Sequence, residues 1–276
     1  MIPLYNYISN NNISNNNITI DGHVHLFSHR GSLKNPYRYK CNSCIGFIDI
    51  ELDSLNEYKD IPGLYKKFIK EHPEFFENPN NKLLASGLNI DDIKNIYNQN
   101  PDKISGFGEL KLYDTSHGEK INLKKISFAK DVCKFSESVG NLPVYIHFGI
   151  KNKSDVERFN NILGAYPYTP IVLCHAGMTE GYEEYAWSHV REFMKDYNNL
   201  YIDISWDGLA YFGKNSIQLT QGDINRMFWG SDISPKQQKL LKDNKVTYKG
   251  SDIINWKNSI NNFIRSDINI KKLFNV

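Results

Sequence analysis

Short, nearly unbroken apolar runs alternate along the chain with longer polar stretches of helical period. The apolar runs predict strands at 18–23, 45–50, 83–88, 104–110, 144–148, 171–175, 200–204 and 227–230. Runs this brief and this apolar are expected of strands buried on both faces in a parallel sheet. Helical spacing predicts a helix over 64–76, with Leu64, Tyr65, Phe68, Ile69 and Phe75 on its apolar side. A second, over 123–139, carries Ile126, Ala129, Val132, Cys133 and Val139, and Gly140 follows where a C-terminal cap belongs. A third spans 183–197 with Ala186, Trp187, Val190, Phe193 and Met194, and a last one is expected at 253–263.

Eight strands at a repeat of about 30 residues match the size of a βαβ unit. Eight such units close a (β/α)8 TIM barrel, and this α/β architecture is the fold expected; periodicity alone also allows an open, doubly wound sheet. No linker rich in Pro, Gly or Ser interrupts the interior, so residues 18–276 are expected to form a single barrel domain. Residues 1–17, with Asn10–Asn12 and Asn15–Asn17, read as an Asn-rich N-terminal extension.

The length of 276 residues suits one α/β barrel, since such barrels commonly use about 200–250 residues. The low mean hydropathy, −0.51, owes much to 33 asparagines, so it says little about function. Charge excludes more. Lys and Arg number 33 against 31 Asp and Glu, a net charge of +2. That balance lacks the concentrated basic excess of a nucleic-acid surface. No apolar run approaches the ~18–20 residues of a membrane span, and the N-terminus does not read as a secretory signal. Four cysteines are too few for a disulfide scaffold. Cys41 and Cys44 form a lone C-x-x-C without the second pair of a zinc ribbon; these thiols are expected to be structural or incidental, in a reduced, cytoplasmic, soluble protein.

The informative residues fall at the carboxyl ends of the expected strands. The first ends in Asp21-Gly22-His23-Val24-His25 and the fourth in Gly108-Glu109-Leu110-Lys111. The fifth ends in Tyr145-Ile146-His147, the sixth in Cys174-His175-Ala176-Gly177, and the eighth in Gly230-Ser231-Asp232. With 8 histidines in the chain, an H-x-H alone decides little. The joint pattern decides more, because active sites of barrels lie at the strand carboxyl ends. Four histidines and two carboxylates there make a hard-to-borderline metal site. In H-x-H both imidazoles point to one side of a strand, so they can chelate one ion.

In this order, D-G-H-V-H-L, G-E-L, Y-I-H, C-H-A-G and G-S-D resemble the amidohydrolase superfamily of metal-dependent hydrolases. The Y-I-D-I-S and W-G-S-D-I-S segments look most like its amidohydrolase-related, or amidohydrolase 2, branch. The resemblance runs from about Ile18 to Ser234 and implies the barrel. It implies that His23 and His25 bind a buried metal, and that His147 and His175 bind a more exposed one in two-metal members. Asp232 matches an aspartate that contacts metal and hydrogen-bonds the attacking water. Glu109 matches a position where some members carry a bridging carboxylate. Lys111, two residues on, shares the strand face and is either a contact for a substrate carboxylate or the ligand of another alignment. The expected cofactor is one or two divalent ions, zinc first and manganese second.

The chemistry expected is hydrolysis of a small amide, lactone or related ester by metal-activated water, with Asp232 as catalytic acid–base group. Cys174 directly precedes His175, so its side chain is expected to face the other side of the strand, towards packing. His29 and Arg30, in the loop after the first strand, and Trp206, at the mouth, are candidate substrate contacts beside Lys111. Asp203 either orients a ligand from behind or is a polar residue of the barrel interior. His72 and His189 are expected at the surface. A metal-dependent decarboxylase of the same superfamily and a TatD-type deoxyribonuclease are the rival readings; the latter usually carries E-T-D where this chain has G-S-D. The partner expected is a small-molecule substrate, neither membrane nor nucleic acid, with a homodimer left open.

Overall fold

A computed structural model describes residues 21–28, 37–38, 43–49, 60–113, 121–205, 208, 211–212, 219–230, 232 and 266–274. The Asn-rich extension, His29, Arg30, Cys41, Trp206 and the helix expected at 253–263 lie outside these residues.

The strands are β1 (Asp21–Ser28), β2 (Tyr37–Arg38), β3 (Cys44–Asp49), β4 (Lys82–Ala85), β5 (Ile104–Lys111), β6 (Val144–His147), β7 (Ile171–Leu173), β8 (Leu200–Ile204) and β9 (Met227–Trp229). They form one sheet in the order β2-β1-β3-β4-β5-β6-β7-β8-β9. Strand β2 folds back antiparallel on β1, and the other eight run parallel, each beside its successor. The helices are α1 (Ile61–Glu71), α2 (Pro73–Glu77), α3 (Ile90–Gln99), α4 (Leu123–Ser138), α5 (Lys153–Ala165), α6 (Glu183–Asp196), α7 (Gln221–Ile224) and α8 (Ser266–Leu273). The sheet curls until β9 meets β1, where the Asp232 amide donates to the His23 carbonyl at 2.9 Å. This is a nearly closed, single-domain (β/α)8 barrel.

Strand alternation divides the apolar residues into two cores. Ile45, Phe47, Leu84, Tyr145, Val172 and Phe228 point into the barrel. Their strand neighbours, such as Leu83, Ala85, Ile171, Leu173 and Met227, face outward against the helices. Helix α8 adds Ile270 and Leu273 to the inner core, and Asn269 donates to the Ile224 and Met227 carbonyls at 2.6 Å. These contacts place α8 at the amino end of β9, across the floor of the barrel.

The helix expected at 64–76 is two helices, α1 and α2. Pro73 has no amide hydrogen to continue α1 and instead begins α2. His72 at this break is buried rather than at the surface: its ring lies 4.9 Å from Phe68, and Nδ1 sits 3.0 Å from Glu74 Oε1. Two helices, α3 and α5, form where the apolar pattern picks out none. Each starts on an asparagine side chain, Asn89 accepting from the Asp91 and Asp92 amides and Asn152 from the Asp155 amide.

Closure depends on close approach at the seam. A Cβ on Gly22 would collide with the Phe228 ring and come within 2.8 Å of the Trp229 carbonyl oxygen. Overpacking of this kind typically costs about 1–3 kcal/mol. Gly22→Ala should therefore lower the unfolding free energy from denaturant titration by an amount in that range, and an unchanged midpoint and slope would show that the seam is not tightly packed.

Candidate metal centre

All six expected metal residues meet at the carboxyl end of the barrel. His23 and His25 project inward from β1 by two-residue alternation. Glu109 and Lys111 do so from β5, His147 ends β6, and Asp232 follows β9. His175 follows β7 in a left-handed turn, with φ of 57° at His175 and 55° at Ala176. Asp232 is also left-handed, at φ 51°.

Donor atoms of His23, His25 and Asp232 lie within 4.8 Å of one another, and so do those of Glu109, His147 and His175. In the first group His25 Nε2 is 2.9 Å and His23 Nε2 3.4 Å from Asp232 Oδ1. In the second, Glu109 Oε1 is 2.9 Å from His147 Nδ1 and 3.5 Å from His175 Nε2. Glu109 also faces the first group, with Oε1 3.9 Å from His23 Nε2 and Oε2 3.9 Å from His25 Nε2. One carboxylate thus stands between two three-donor clusters. Lys111 Nζ lies 3.7 Å from Glu109 Oε2. Glu109 is held in place from behind, since the Ser86 hydroxyl donates to the Gly108 carbonyl and the Ser86 amide donates to Tyr65 Oη at 2.7 Å.

Asp203 lies behind the ligands. Its Oδ2 is 2.6 Å from His23 Nδ1 and accepts from Ser205 Oγ at 2.7 Å. Ser205 Oγ is in turn 2.8 Å from His175 Nδ1. One buried carboxylate thereby fixes two imidazoles so that each aims Nε2 into the pocket. Ser205 is the residue that sequence reasoning misses. Its signal is the spacing in Asp203-Ile204-Ser205, which puts two polar side chains on one face of an otherwise apolar strand.

Cys174 is packed, as expected, but on the same side as His175. Alternation continues inward from Val172, so Cys174 joins the inner core, and the left-handed turn then brings His175 inward as well. Lys111 stands beside the ligands, whereas the other expected substrate contacts, His29, Arg30 and Trp206, lie outside the described residues. His189 is half-buried, with Nδ1 2.9 Å from the Tyr185 carbonyl. Cys44 is disulfide-bonded, so the expectation of reduced thiols holds only for Cys133 and Cys174.

The metal-free electrostatics are those of a site built for cations. Burial alone would lower the His23 imidazole. The charges of Asp203, Asp232 and Glu109, with the hydrogen bond to Asp203, instead raise it to about 10. Burial likewise disfavours the Glu109 carboxylate, yet His147 and Lys111 hold it well below the usual range. Asp232 is lowered too, against burial, by His23 and its hydrogen bond to His25. His175 is raised over its burial by the hydrogen bond to Glu109 and the charge of Asp232, whereas burial leaves His147 lowered. Protons on imidazole thus balance carboxylates where divalent ions would do the same. The donor set of imidazoles and carboxylates fits such an ion.

A family model described as amidohydrolase matches residues 139–243, which include His147, His175, Asp203 and Asp232. No curated protein sequence matches the chain. Among solved structures, an amidohydrolase from Burkholderia multivorans with bound zinc is similar at TM-score 0.54 and 13% identity, covering 94% of this chain and 99% of that one. Amidohydrolase 2 from Bifidobacterium longum subsp. infantis is similar at TM-score 0.51 and 12% identity, over 94% and 98%. A TatD family hydrolase from Entamoeba histolytica is similar at TM-score 0.53 and 15% identity, over 93% and 95%. At these identities the likeness is one of fold. The family match thus takes in four of the residues described above, and the solved structures share the barrel fold. The matched model agrees, over that part of the chain, with the amidohydrolase resemblance read from the sequence.

The His23 shift has a measurable consequence. A folded-state value of about 10 against 6.5 unfolded contributes stability that is complete below pH 6.5 and is lost as pH rises through about 10. His175 acts in the same direction, and the lowered carboxylates and His147 act below this window. The melting temperature of chelator-treated protein should therefore fall between pH 6.5 and 10. Zinc-loaded protein should not show the fall, because ligation requires neutral imidazole. A metal-free melting temperature that rises across this window would refute the buried-cation picture.

Proposed function

We propose that the protein is a metal-dependent hydrolase that cleaves a small amide, lactone or related ester. The observation that carries this reading is the pair of three-donor clusters joined by Glu109 at the carboxyl end of the barrel. His23, His25 and Asp232 would hold one divalent ion, and His147 and His175 a second, with Glu109 between them. Zinc suits these borderline nitrogen and oxygen donors best, and manganese is the alternative. Such ions would supply Lewis-acid polarisation of a carbonyl and a lowered pKa for the attacking water.

The chain's own residues supply the rest. The Asp232 carboxylate, lowered and partly exposed, is placed to take the proton of the attacking water and pass it to the leaving group. Asp203, buried behind His23, keeps that imidazole in the tautomer that presents Nε2. Lys111 Nζ, at the rim, offers a cation to a substrate carboxylate. The phenyl ring of Phe47, its centroid 4.9 Å from that of His23, packs against that buried imidazole.

Three measurements test the reading. Chelator-treated protein reloaded with zinc or manganese should hydrolyse members of a lactone and amide panel. Cleavage confined to phosphodiesters would favour the TatD-type activity instead, and release of carbon dioxide from aromatic carboxylates the decarboxylase. Asp232→Asn should stay folded and metal-loaded but lose roughly 10²-fold or more in kcat, the usual weight of an acid–base group. Near-normal turnover in a destabilised Asp232→Asn would instead make this residue a turn cap. Glu109→Gln should lower the bound metal from two ions towards one per chain, and unchanged two-ion binding would refute the bridge.

A further inference from the structure

Cys174 lies where the inner core meets the metal pocket. Its thiol is free and almost wholly buried, at 1% exposure. On one side it packs with Val172, Tyr145 and Phe47 of the inner core. On the other, its Sγ lies within 4.8 Å of donor atoms of both His23 and Glu109, which themselves lie within that distance of each other. His23 and Glu109 are 0% and 9% exposed, so three buried donors converge from three strands or strand ends. His23 belongs to the His23–His25–Asp232 cluster as well, so the thiol shares that imidazole with the cluster.

We propose that Cys174 is an additional, soft ligand to the buried ion, contributed from the floor of the pocket. Thiolate selects zinc and other thiophilic ions over manganese and magnesium, which prefer oxygen. The consequence is metal selectivity built into the inner core. The bond forms between Sγ and the ion, the thiol proton leaves to solvent, and no electrons are transferred. The inference rests on the metal-site reading above and sharpens it.

The test is titration of chelator-treated protein with cobalt(II), read by absorption. Wild type should show the visible d–d bands of bound cobalt together with a near-ultraviolet thiolate-to-cobalt charge-transfer band. Cys174→Ala and Cys174→Ser should keep the d–d bands and lose the charge-transfer band. They should also release one proton fewer per ion bound, and their preference for cadmium(II) over manganese(II) should drop roughly tenfold or more. Cys133→Ala, which removes the other free thiol, should leave the spectrum unchanged. Bound cobalt without a charge-transfer band in wild type overturns the role of Cys174 alone, and so does a band that survives Cys174→Ala. Should both Cys174 variants fail to fold, the wild-type and Cys133→Ala spectra decide the matter. Failure of cobalt to bind at all overturns the metal-site reading and this inference with it.

Discussion

The hydrogen bond from the Asp232 amide to the His23 carbonyl joins the last parallel strand to the first. Without that closure the two residues would sit at opposite edges of a sheet. With it, His25 Nε2 reaches Asp232 Oδ1 at 2.9 Å across a sequence separation of 207 residues. The glycines at the seam make the approach possible. A Cβ on Gly22 would enter the Phe228 ring, and one on Gly230 would lie within 2.9 Å of the His23 amide nitrogen. Site assembly and barrel closure are therefore one event. Every strand between them only has to keep its place in the sequential order for His147 and His175 to arrive at the same end.

The pocket concentrates buried charge. Glu109, Asp232 and Asp203 crowd four imidazoles, and an uncompensated carboxylate in such surroundings is costly. In the metal-free state the carboxylates favour the protonated imidazole of His23, and against burial that of His175 as well. It is the same electrostatic demand that makes the donor set suitable for divalent ions. Asp203 and Ser205 set orientation, since neither adds a ligand to the two clusters but both fix ligands that do.

Much of this was legible in the sequence. The strand at 200–204 is found with the bounds its apolar pattern predicts, and the eight parallel strands appear in order. The motif residues His23, His25, Glu109, His147, His175 and Asp232 do meet, because strand ends are what periodicity locates best. Failures came where the backbone leaves regular geometry. The sixth apolar run predicts a strand to His175, but β7 stops at Leu173 and the left-handed turn after it brings His175 to the inner side that Cys174 already faces. Helices α3 and α5 escaped because most of their surface is polar, with Ile93 and Ile96 the buried apolar residues of α3. His72 is buried because Pro73 breaks the helix beside it, which an apolar count does not register.

The asparagines that make the chain polar have a further consequence. Asn89, Asn122 and Asn152 cap α3, α4 and α5, three of the five helices of ten or more residues among the described residues, while Asp60 caps α1 and Tyr182 offers α6 no side-chain bond. An amide side chain accepts the same hydrogen bonds from helix amides as a carboxylate but carries no ionisable proton. Acidification leaves those three helix starts intact. The other helix starts differ, since α1 begins on the Asp60 carboxylate and α7 on the Thr220–Asp223 capping box, so the asparagine caps remove an acid-sensitive group from three helices and not from the whole outer layer.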